Sequence, residues 1–342
     1  MTRLVLRRGT VASVEQTGAV VEFTVEIDGE RRPAIAYAAL TGPVEVGDDV
    51  VVNTAAAELG LGSGGFDLLH VNLTRGLGGV GETGAHVMKL NYTSLQHAVH
   101  PIEESAPELA GGGGPVAVIS LHGQLPCVAW AAAQAAQGAR IGFVQTAGGA
   151  LPGQLSRVVS ELRERGMLAA HVTAGPAFGG EREAISVPGA LHAGFAADGW
   201  DAAIAGPGPG ILGSATALGH GGLAALDTAH GALALGCPTL IVPRMSQGDP
   251  RPRHQGLSHH TATVLEMLLR PVTVAVPDGE AAGVRRSVGE EHRVLEVNVD
   301  LDGYARSGLP ARTMGRDIAD DELFFKAALA GGTALAKEIH GA

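Results

Sequence analysis

From Pro115 to the end of the chain, short apolar runs alternate with longer stretches of helical spacing, and this alternation constrains the fold more than any other sequence feature. The runs "PVAVIS", "ARIGFVQT" and "PTLIVP" are apolar throughout, which is typical of strands covered by helices on both faces. Five β-then-α units in series require mostly parallel strands joined by right-handed crossovers. The sequence therefore predicts an α/β fold with a doubly wound, mostly parallel, Rossmann-like sheet over residues 115–342.

The first part of the chain has a different pattern, because single apolar and polar residues alternate. In "VVEFTVEI" this alternation places Phe23 inside, and the chain then turns at Asp28-Gly29, a strong hairpin signal. Short strands joined by such turns predict a small N-terminal β-barrel or β-sandwich domain over residues 1–75, similar to an oligonucleotide-binding barrel. Surface aromatic residues are few, which favours a structural role over nucleic-acid binding.

Composition narrows the class of function. The chain has 342 residues and a formal net charge of −11, which argues against a general nucleic-acid binder because phosphate contacts need a basic surface. No run reaches the roughly 18 uninterrupted apolar residues of a membrane span, so we expect a cytoplasmic protein without a membrane partner. Cys127 and Cys237 lie in apolar runs and are expected to be reduced, buried thiols.

Glycine-rich loops follow several predicted strands, at the sheet edge where ligands of open α/β proteins bind. One loop contains Gly148 and Gly149, and "GPGPGILG" places Gly208, Gly210 and Gly213 in a GxGxxG pattern after a strand. Glycines before a helix would let backbone N–H groups bind a phosphate at the helix N-terminus. The acidic residue of a dinucleotide fingerprint is missing at the end of the next strand. An anion-binding glycine loop is therefore favoured over a nicotinamide site, and a plain strand-to-helix turn stays open.

The segment "RMSQGDPRPRHQGLSHHT" combines arginines, histidines, prolines and glycines within eighteen residues. Guanidinium groups match carboxylates or phosphates with two hydrogen bonds, so Arg244, Arg251 and Arg253 are candidate anion-binding residues. The two last-named arginines flank a proline and would point the same way in an extended segment. His254 and His259 are candidate catalytic residues, because imidazole moves protons near neutral pH.

The same segment raises the question of a metal site. His254, His259 and His260 with Asp249 are ligands of a suitable type. Adjacent helical positions diverge by about 100°, however, so the two neighbouring histidines are not expected to bind one ion together, and no metal ligand is predicted. The plain alternative is a solvated loop in which Ser258 only caps a helix that begins with the two histidines.

Residues 76–114 begin and end in glycine and are predicted to connect the two domains. Within them, His86, Lys89 and Tyr92 would share one face if the segment is helical. Lys89 could then reach an anion site from the domain interface, a common location for pockets. An amphipathic connector with a solvated polar face is the alternative.

Taken end to end, the chain resembles a bacterial family of uncharacterised proteins carrying a domain of unknown function. The resemblance rests on "GAHVMKLNYT", "GPGPGILG" and above all "DPRPRHQGLSHHT", and it covers nearly the whole chain. It implies no activity and no cofactor.

These observations favour a protein that binds a phosphorylated or carboxylated small molecule at the carboxyl ends of the sheet strands, as an enzyme with histidine acid–base chemistry. A non-catalytic nucleotide- or metabolite-sensing module is the alternative, and a metal-dependent hydrolase is a weaker one. The expected partner is a small anionic ligand, and homo-oligomerisation stays open.

Overall fold

The computed structural model describes residues 3–16, 18–61, 64–109 and 111–341. The chain divides into two compact units, Met1–Val99 and His100–Ala342. The described residues of the first unit form seven strands and two short helices: β1 (Leu6–Gln16), β2 (Val20–Ile27), β3 (Glu30–Tyr37), α1 (Ala38–Thr41), β4 (Asp49–Asn53), α2 (Ala55–Glu58), β5 (Asp67–Asn72), β6 (Val87–Lys89) and β7 (His97–Val99).

The first five strands form a closed barrel in the order β1-β2-β3-β5-β4. The predicted hairpin at Asp28 and Gly29 is present, with φ values of 52° and 84° that suit its tight turn. Phe23 is buried in the barrel core together with the other apolar residues on its side of β2. The prediction of a small barrel before an α/β fold is confirmed.

Part of the segment predicted as a connector belongs to the first unit. Strands β6 and β7 pair antiparallel there, and Lys89 pairs with His97. Leu90 and Tyr92 have positive φ values of 48° and 60°, so the backbone after β6 turns and does not continue as a helix. The single helical face expected for His86, Lys89 and Tyr92 is therefore not formed.

The second unit contains the remaining elements. They are β8 (Val116–Ile119), α3 (Leu125–Ala135), β9 (Ile141–Thr146), α4 (Arg157–Glu164), β10 (Ala170–Ala174), β11 (Arg182–Ala184), α5 (Val187–Ala196), β12 (Ala202–Pro207), α6 (Ala224–Ala234), β13 (Thr239–Val242), β14 (Met245–Ser246), β15 (Gly256–Leu257), α7 (His259–Met267), β16 (Thr273–Pro277), α8 (Ala281–Val288), β17 (Arg293–Val297), α9 (Leu301–Arg306), β18 (Arg312–Thr313), β19 (Arg316–Asp317) and α10 (Glu322–Gly341).

Eight of these strands form one sheet in the order β11-β10-β9-β12-β8-β13-β16-β17, and every pairing is parallel. Neighbouring residues of β8 serve opposite faces: Val116 and Val118 pack with helices α5 to α8, whereas Ala117 and Ile119 pack with α3, α4, α9 and α10. Both faces are thus covered, which explains the continuous apolar strand runs and confirms the α/β prediction.

The order in which strands are added to the sheet reverses at its centre. Strand β8 lies between β12 and β13, and the helices that follow β8 and β12 pack on opposite faces. Loops that leave neighbouring strands towards opposite faces open a crevice at their carboxyl ends, the usual ligand position in such sheets. Among the described residues, no helix is both long enough and apolar enough to cross a membrane.

Candidate functional site

The arginine- and histidine-rich segment follows β13 and folds back over the carboxyl end of the sheet. Residues Pro252–His254 form a short 3-10 turn, and α7 begins at His259. Ser258 caps that helix, as predicted, because its hydroxyl accepts the His260 N–H at 3.3 Å. The same hydroxyl lies 2.7 Å from Nδ1 of His254. One serine therefore fixes both the start of the helix and the orientation of a histidine.

Three histidines of this segment gather into one cluster, which we call the histidine cluster: His254, His259 and His260. The ring centre of His254 lies 4.9 Å from each of the others, and those two are 4.4 Å apart. One ligand atom from each ring lies within 4.8 Å of the other two. The expected divergence of His259 and His260 is thus wrong, because their side chains lean back towards each other at the helix start.

A fourth histidine reaches the cluster from the glycine loop after β12. Gly213 and His220 form an isolated antiparallel bridge, and the His220 ring stacks on His260 with centres 3.7 Å apart and planes 9° from parallel. The carboxyl end of strand β8 also lies close to the histidine cluster. Gly222 lies between the two, because a Cβ placed on it would be 3.4 Å from the carbonyl oxygen of Ser120, the residue after β8, and 3.6 Å from the His260 ring. Loops from all three central strands therefore converge here.

Several buried polar atoms at this convergence have no hydrogen-bond partner among the described residues. They include both ring nitrogens of His220, Nε2 of His259, the Ser120 hydroxyl and Nε of Arg244. Because nearly all buried polar atoms in proteins are satisfied, each orphaned one needs an explanation, such as an ordered water, an ion or a catalytic role. No other place in the described part of the chain brings so many of them together.

A network of charges borders the histidine cluster. The Asp249 carboxylate is fully buried, accepts from Arg244 at 3.1 Å and from Arg251 at 2.8 Å, and lies 3.5 Å from Arg316. Arg316 also donates to Asp321 at 3.0 Å. Hydrogen bonds, first that from Arg251, hold the pKa of Asp249 far below its usual range. Asp249 is thereby engaged by arginines and is not one of the grouped potential ligands.

Burial and neighbouring charges keep the histidines neutral. Burial, followed by the charge of Arg244, lowers the pKa of His254 to about 3. Burial and then the His220 ring lower the pKa of His260 to about 2. The pKa of His259 is also lowered, first by burial and then by Arg253. Near pH 7 these imidazoles are therefore uncharged, the form that accepts protons or coordinates metals.

The two prolines do not hold Arg251 and Arg253 in an extended, parallel arrangement. Arg251 turns back to Asp249, with its Nε 2.9 Å from Oδ1, because the 3-10 turn begins at the next residue. Arg253 is exposed, and its charge acts on His259. The predicted anion-binding residues are thus divided: Arg244 and Arg251 are paired with a carboxylate, while Arg253 borders the histidine cluster.

The glycine loops pack closely against each other, and their predicted binding of an anion stays a prediction. A Cβ on Gly149 would lie 2.3 Å from the Gly208 carbonyl oxygen, and a Cβ on Gly208 would lie 2.3 Å from that of Ala150. These glycines allow the loops after β9 and β12 to pack backbone against backbone, and Gly148 meets Gly221 in the same way. Helix α6 begins only at Ala224, so the GxGxxG glycines do not form its N-terminus.

Gly210 and Gly213 are the exceptions within this loop. A Cβ on Gly210 would meet nothing within 4 Å, although its φ of +71° favours glycine, and a Cβ on Gly213 would make only ordinary contact. Gly213 matters through its bridge to His220. The expected convergence of the glycine loop and the arginine- and histidine-rich segment is therefore present, and histidine rings mediate it. Lys89 lies on β6 of the first unit, and its part in a site stays a prediction.

Sequence reasoning missed several residues of the site. Arg316 and Asp321 come from the hairpin β18–β19 and the turn before α10, some seventy residues from Asp249, and no local motif links them to it. Ser120 follows a strand without any signal of its own. His220 was visible as a histidine next to two glycines, yet only the Gly213 bridge reveals its stacking on His260.

Comparison with known proteins identifies a family but no activity. The family model described as "Protein of unknown function (DUF3866)" matches residues 33–332, a stretch that includes the histidine cluster and its arginine network. Neither a curated protein nor a solved structure matches the chain.

Proposed function

The chain belongs to the DUF3866 family of proteins of unknown function, and we propose that it binds a phosphorylated or carboxylated small molecule beside Arg244, at the carboxyl ends of the central strands. The observation that carries the proposal is a surplus of buried guanidinium groups. Nε of Arg244 is buried without a hydrogen-bond acceptor among the described residues, and buried Nη2 of Arg316 has only a long ion pair with Asp249 at 3.5 Å. A buried charged donor of this kind is costly unless an acceptor is supplied.

The charge balance supports the same ligand class. Arg244, Arg251 and Arg316 surround one carboxylate, and a second carboxylate, that of Asp321, contacts Arg316. Three positive groups thus face two negative ones, and exposed Arg253 adds a further positive charge next to His259. An oxyanion would balance this excess, and a guanidinium group can bind it with two hydrogen bonds.

Proton transfer by His254 and His259 is the catalytic part of the proposal. Because the pKa of His254 is lowered to about 3, its ring is uncharged at neutral pH and is only a weak base, so a bound anion beside it would have to raise its basicity before it accepts a proton. Turnover of a bound anion would make the protein an enzyme, whereas binding without turnover would make it the sensing module.

The test is a ligand screen followed by one matched pair of variants. We expect inorganic phosphate, sugar phosphates, nucleotides or small carboxylates to raise the melting temperature of the wild-type protein. Arg253→Gln should weaken the binding of the best ligand about tenfold or more, since a charge-assisted hydrogen bond contributes about 1.5–3 kcal/mol. Arg286→Gln, which changes an exposed arginine on α8, should leave the affinity unchanged.

Two results would contradict the proposal. One is a wild-type protein whose melting temperature responds to none of these anions. The other is an equal loss of affinity in both variants, which would reduce the effect of Arg253 to general surface charge. Calorimetric titration of the two variants distinguishes the cases.

A further inference from the structure

The histidine cluster has the composition and spacing of a metal site. Three imidazoles come from one short segment, and one ligand atom of each lies within 4.8 Å of the other two. In a site with metal–nitrogen distances of 2.0–2.1 Å and tetrahedral angles, the ligand atoms would lie about 3.3 Å apart. The cluster is wider than this by a distance that small side-chain rotations can close.

An orphaned nitrogen points to a missing ligand. Nε2 of His259 is buried and has no hydrogen-bond partner among the residues that the structure describes, and the same holds for both nitrogens of His220 against the stacked His260. Ordinary packing would favour apolar rings at such positions, because buried nitrogen atoms without partners are destabilising. A bound ion would explain why imidazoles are present here.

The orientation of His254 fits the same explanation. Its Nδ1 lies 2.7 Å from the Ser258 hydroxyl, and that hydroxyl also accepts the His260 N–H. If Nδ1–H donates to this oxygen, the other ring nitrogen is left as a lone pair. Metal-binding histidines are commonly held by such a second hydrogen bond, so Ser258 is a positioning residue.

We propose that His254, His259 and His260 bind one divalent first-row transition-metal ion, of which zinc is the test case; in the metal-bound protein this role replaces proton transfer by His254 and His259, because a coordinated imidazole has no lone pair left. Three neutral nitrogen ligands are typical of such ions. They leave at least one coordination position for an exogenous oxygen ligand.

The surrounding charges define how that ion binds. Arg244 Nη1 donates to Nδ1 of His260 at 3.3 Å, and His260 gives up this hydrogen bond when it coordinates an ion, since a neutral imidazole has one lone pair. Arg251 and Arg253 are also close enough to influence the cluster. Asp249 is the carboxylate that opposes them. The guanidinium groups therefore weaken the binding of a cation without preventing it, and an anion that contacts both the ion and a guanidinium group relieves the repulsion. This part rests on the proposed function, and it predicts that metal and phosphate strengthen each other's binding.

The first experiment measures metal alone. Protein stripped with a chelator and dialysed against Zn²⁺ or Co²⁺ should retain about one ion per chain. His259→Gln should lower the affinity more than about a hundredfold, because the loss of supporting hydrogen bonds already costs 10- to 100-fold in metal sites. His340→Gln, an exposed histidine near the chain end, is the matched control and should retain the ion.

A second variant covers the case in which His259→Gln does not fold. Ser258→Ala keeps all three rings and should weaken the metal by 10- to 100-fold, with its own folding checked by circular dichroism. Wild-type protein that retains no ion, or the same ion retention in His259→Gln as in His340→Gln, would overturn the inference.

The last experiment separates the metal site from the anion site. Inorganic phosphate should bind at least tenfold more tightly to the Zn²⁺-loaded protein than to the stripped protein. Phosphate binding without any metal binding would overturn the metal site and leave the proposed function intact. Metal binding without any anion binding would support the histidine site and overturn the proposed function.

Discussion

Two buried histidines at the carboxyl edge of the sheet, His122 and His220, differ in the hydrogen bonds that their ring nitrogens make. His122, after β8, uses both ring nitrogens: Nδ1 lies 3.1 Å from the Pro207 carbonyl oxygen and Nε2 lies 2.6 Å from the Ser156 hydroxyl. His220, after β12, stacks on His260, and neither of its nitrogens makes a hydrogen bond of ordinary geometry within the described structure, although the Ala217 backbone acts on its pKa. Both rings are similarly buried, at 8% and 7% exposure, so burial alone does not distinguish them.

The comparison distinguishes polar groups whose hydrogen bonds are complete within the fold from polar groups that are available to a ligand. The Pro207 carbonyl is an acceptor, so Nδ1 of His122 carries the proton and Nε2 accepts from Ser156. This arrangement is complete without any ligand, and it ties the loops after β8 and β12 to the start of α4. Around His220, in contrast, ring nitrogens, the Ser120 hydroxyl and Nε of Arg244 have no hydrogen-bond partner among the described residues. We infer that hydrogen bonds left open, more than residue type, mark the site.

The largest expected effect comes from removing the one carboxylate that the arginine network shares. Asp249→Asn should lower the free energy of unfolding by about 3–5 kcal/mol, because Arg244 is then buried without its charged partner. Urea unfolding monitored by fluorescence measures the change.

A sufficient concentration of a bound anion should restore part of this loss, since the anion would replace the missing negative charge. Asp302→Asn on α9 is a suitable control, because this carboxylate is exposed. An Asp249→Asn protein as stable as wild type would show that the arginine network around Asp249 does not stabilise the fold.

A second prediction concerns the glycine loops, which, like His122, hold neighbouring loops together without a ligand. Gly149→Ala should destabilise the fold by about 3 kcal/mol, because the new methyl group would lie 2.3 Å from the Gly208 carbonyl oxygen. Gly213→Ala, whose Cβ would approach His220 no closer than 3.6 Å, should change stability by less than about 0.5 kcal/mol. Thermal unfolding of both variants tests this, and equal stabilities would refute the role of close loop packing.

The smallest expected effects test the two histidines directly. His122→Phe should cost about 2 kcal/mol, because the Pro207 carbonyl and the Ser156 hydroxyl would lose a buried partner. His220→Phe keeps the ring stacking and removes orphaned nitrogens, so its stability should stay within about 1 kcal/mol of wild type or rise above it. Chemical unfolding of both proteins without added ligand is the measurement. An equal loss of stability in the two variants would show that His122 and His220 contribute alike to the fold.

The architecture was predictable because it depends on repeated local patterns. Apolar strand runs such as "PVAVIS" and the Asp28-Gly29 turn act through burial and turn geometry that do not depend on distant partners. The short strands β6 and β7 were missed for the opposite reason: each has only three residues, too few to show an alternation of apolar and polar side chains.

The site was predictable only in its chain segments. The density of arginine and histidine in residues 244–261 was visible, and so was the Ser258 cap. The partners of those residues were not visible, because Arg316, Asp321 and His220 arrive through tertiary folding. The GxGxxG pattern is ambiguous for a physical reason: close packing between loops and phosphate binding both require glycine, and anion binding by Gly208, Gly210 and Gly213 stays a prediction.

The loop tip at residues 212–219 is exposed, while its base is pinned by the bridge from Gly213 to His220. A dye attached near Leu218 would therefore sit in water, a short distance along the backbone from the stacked ring. Such a labelled protein would report occupancy of the histidine cluster as a change in brightness, with no substrate or assay known in advance.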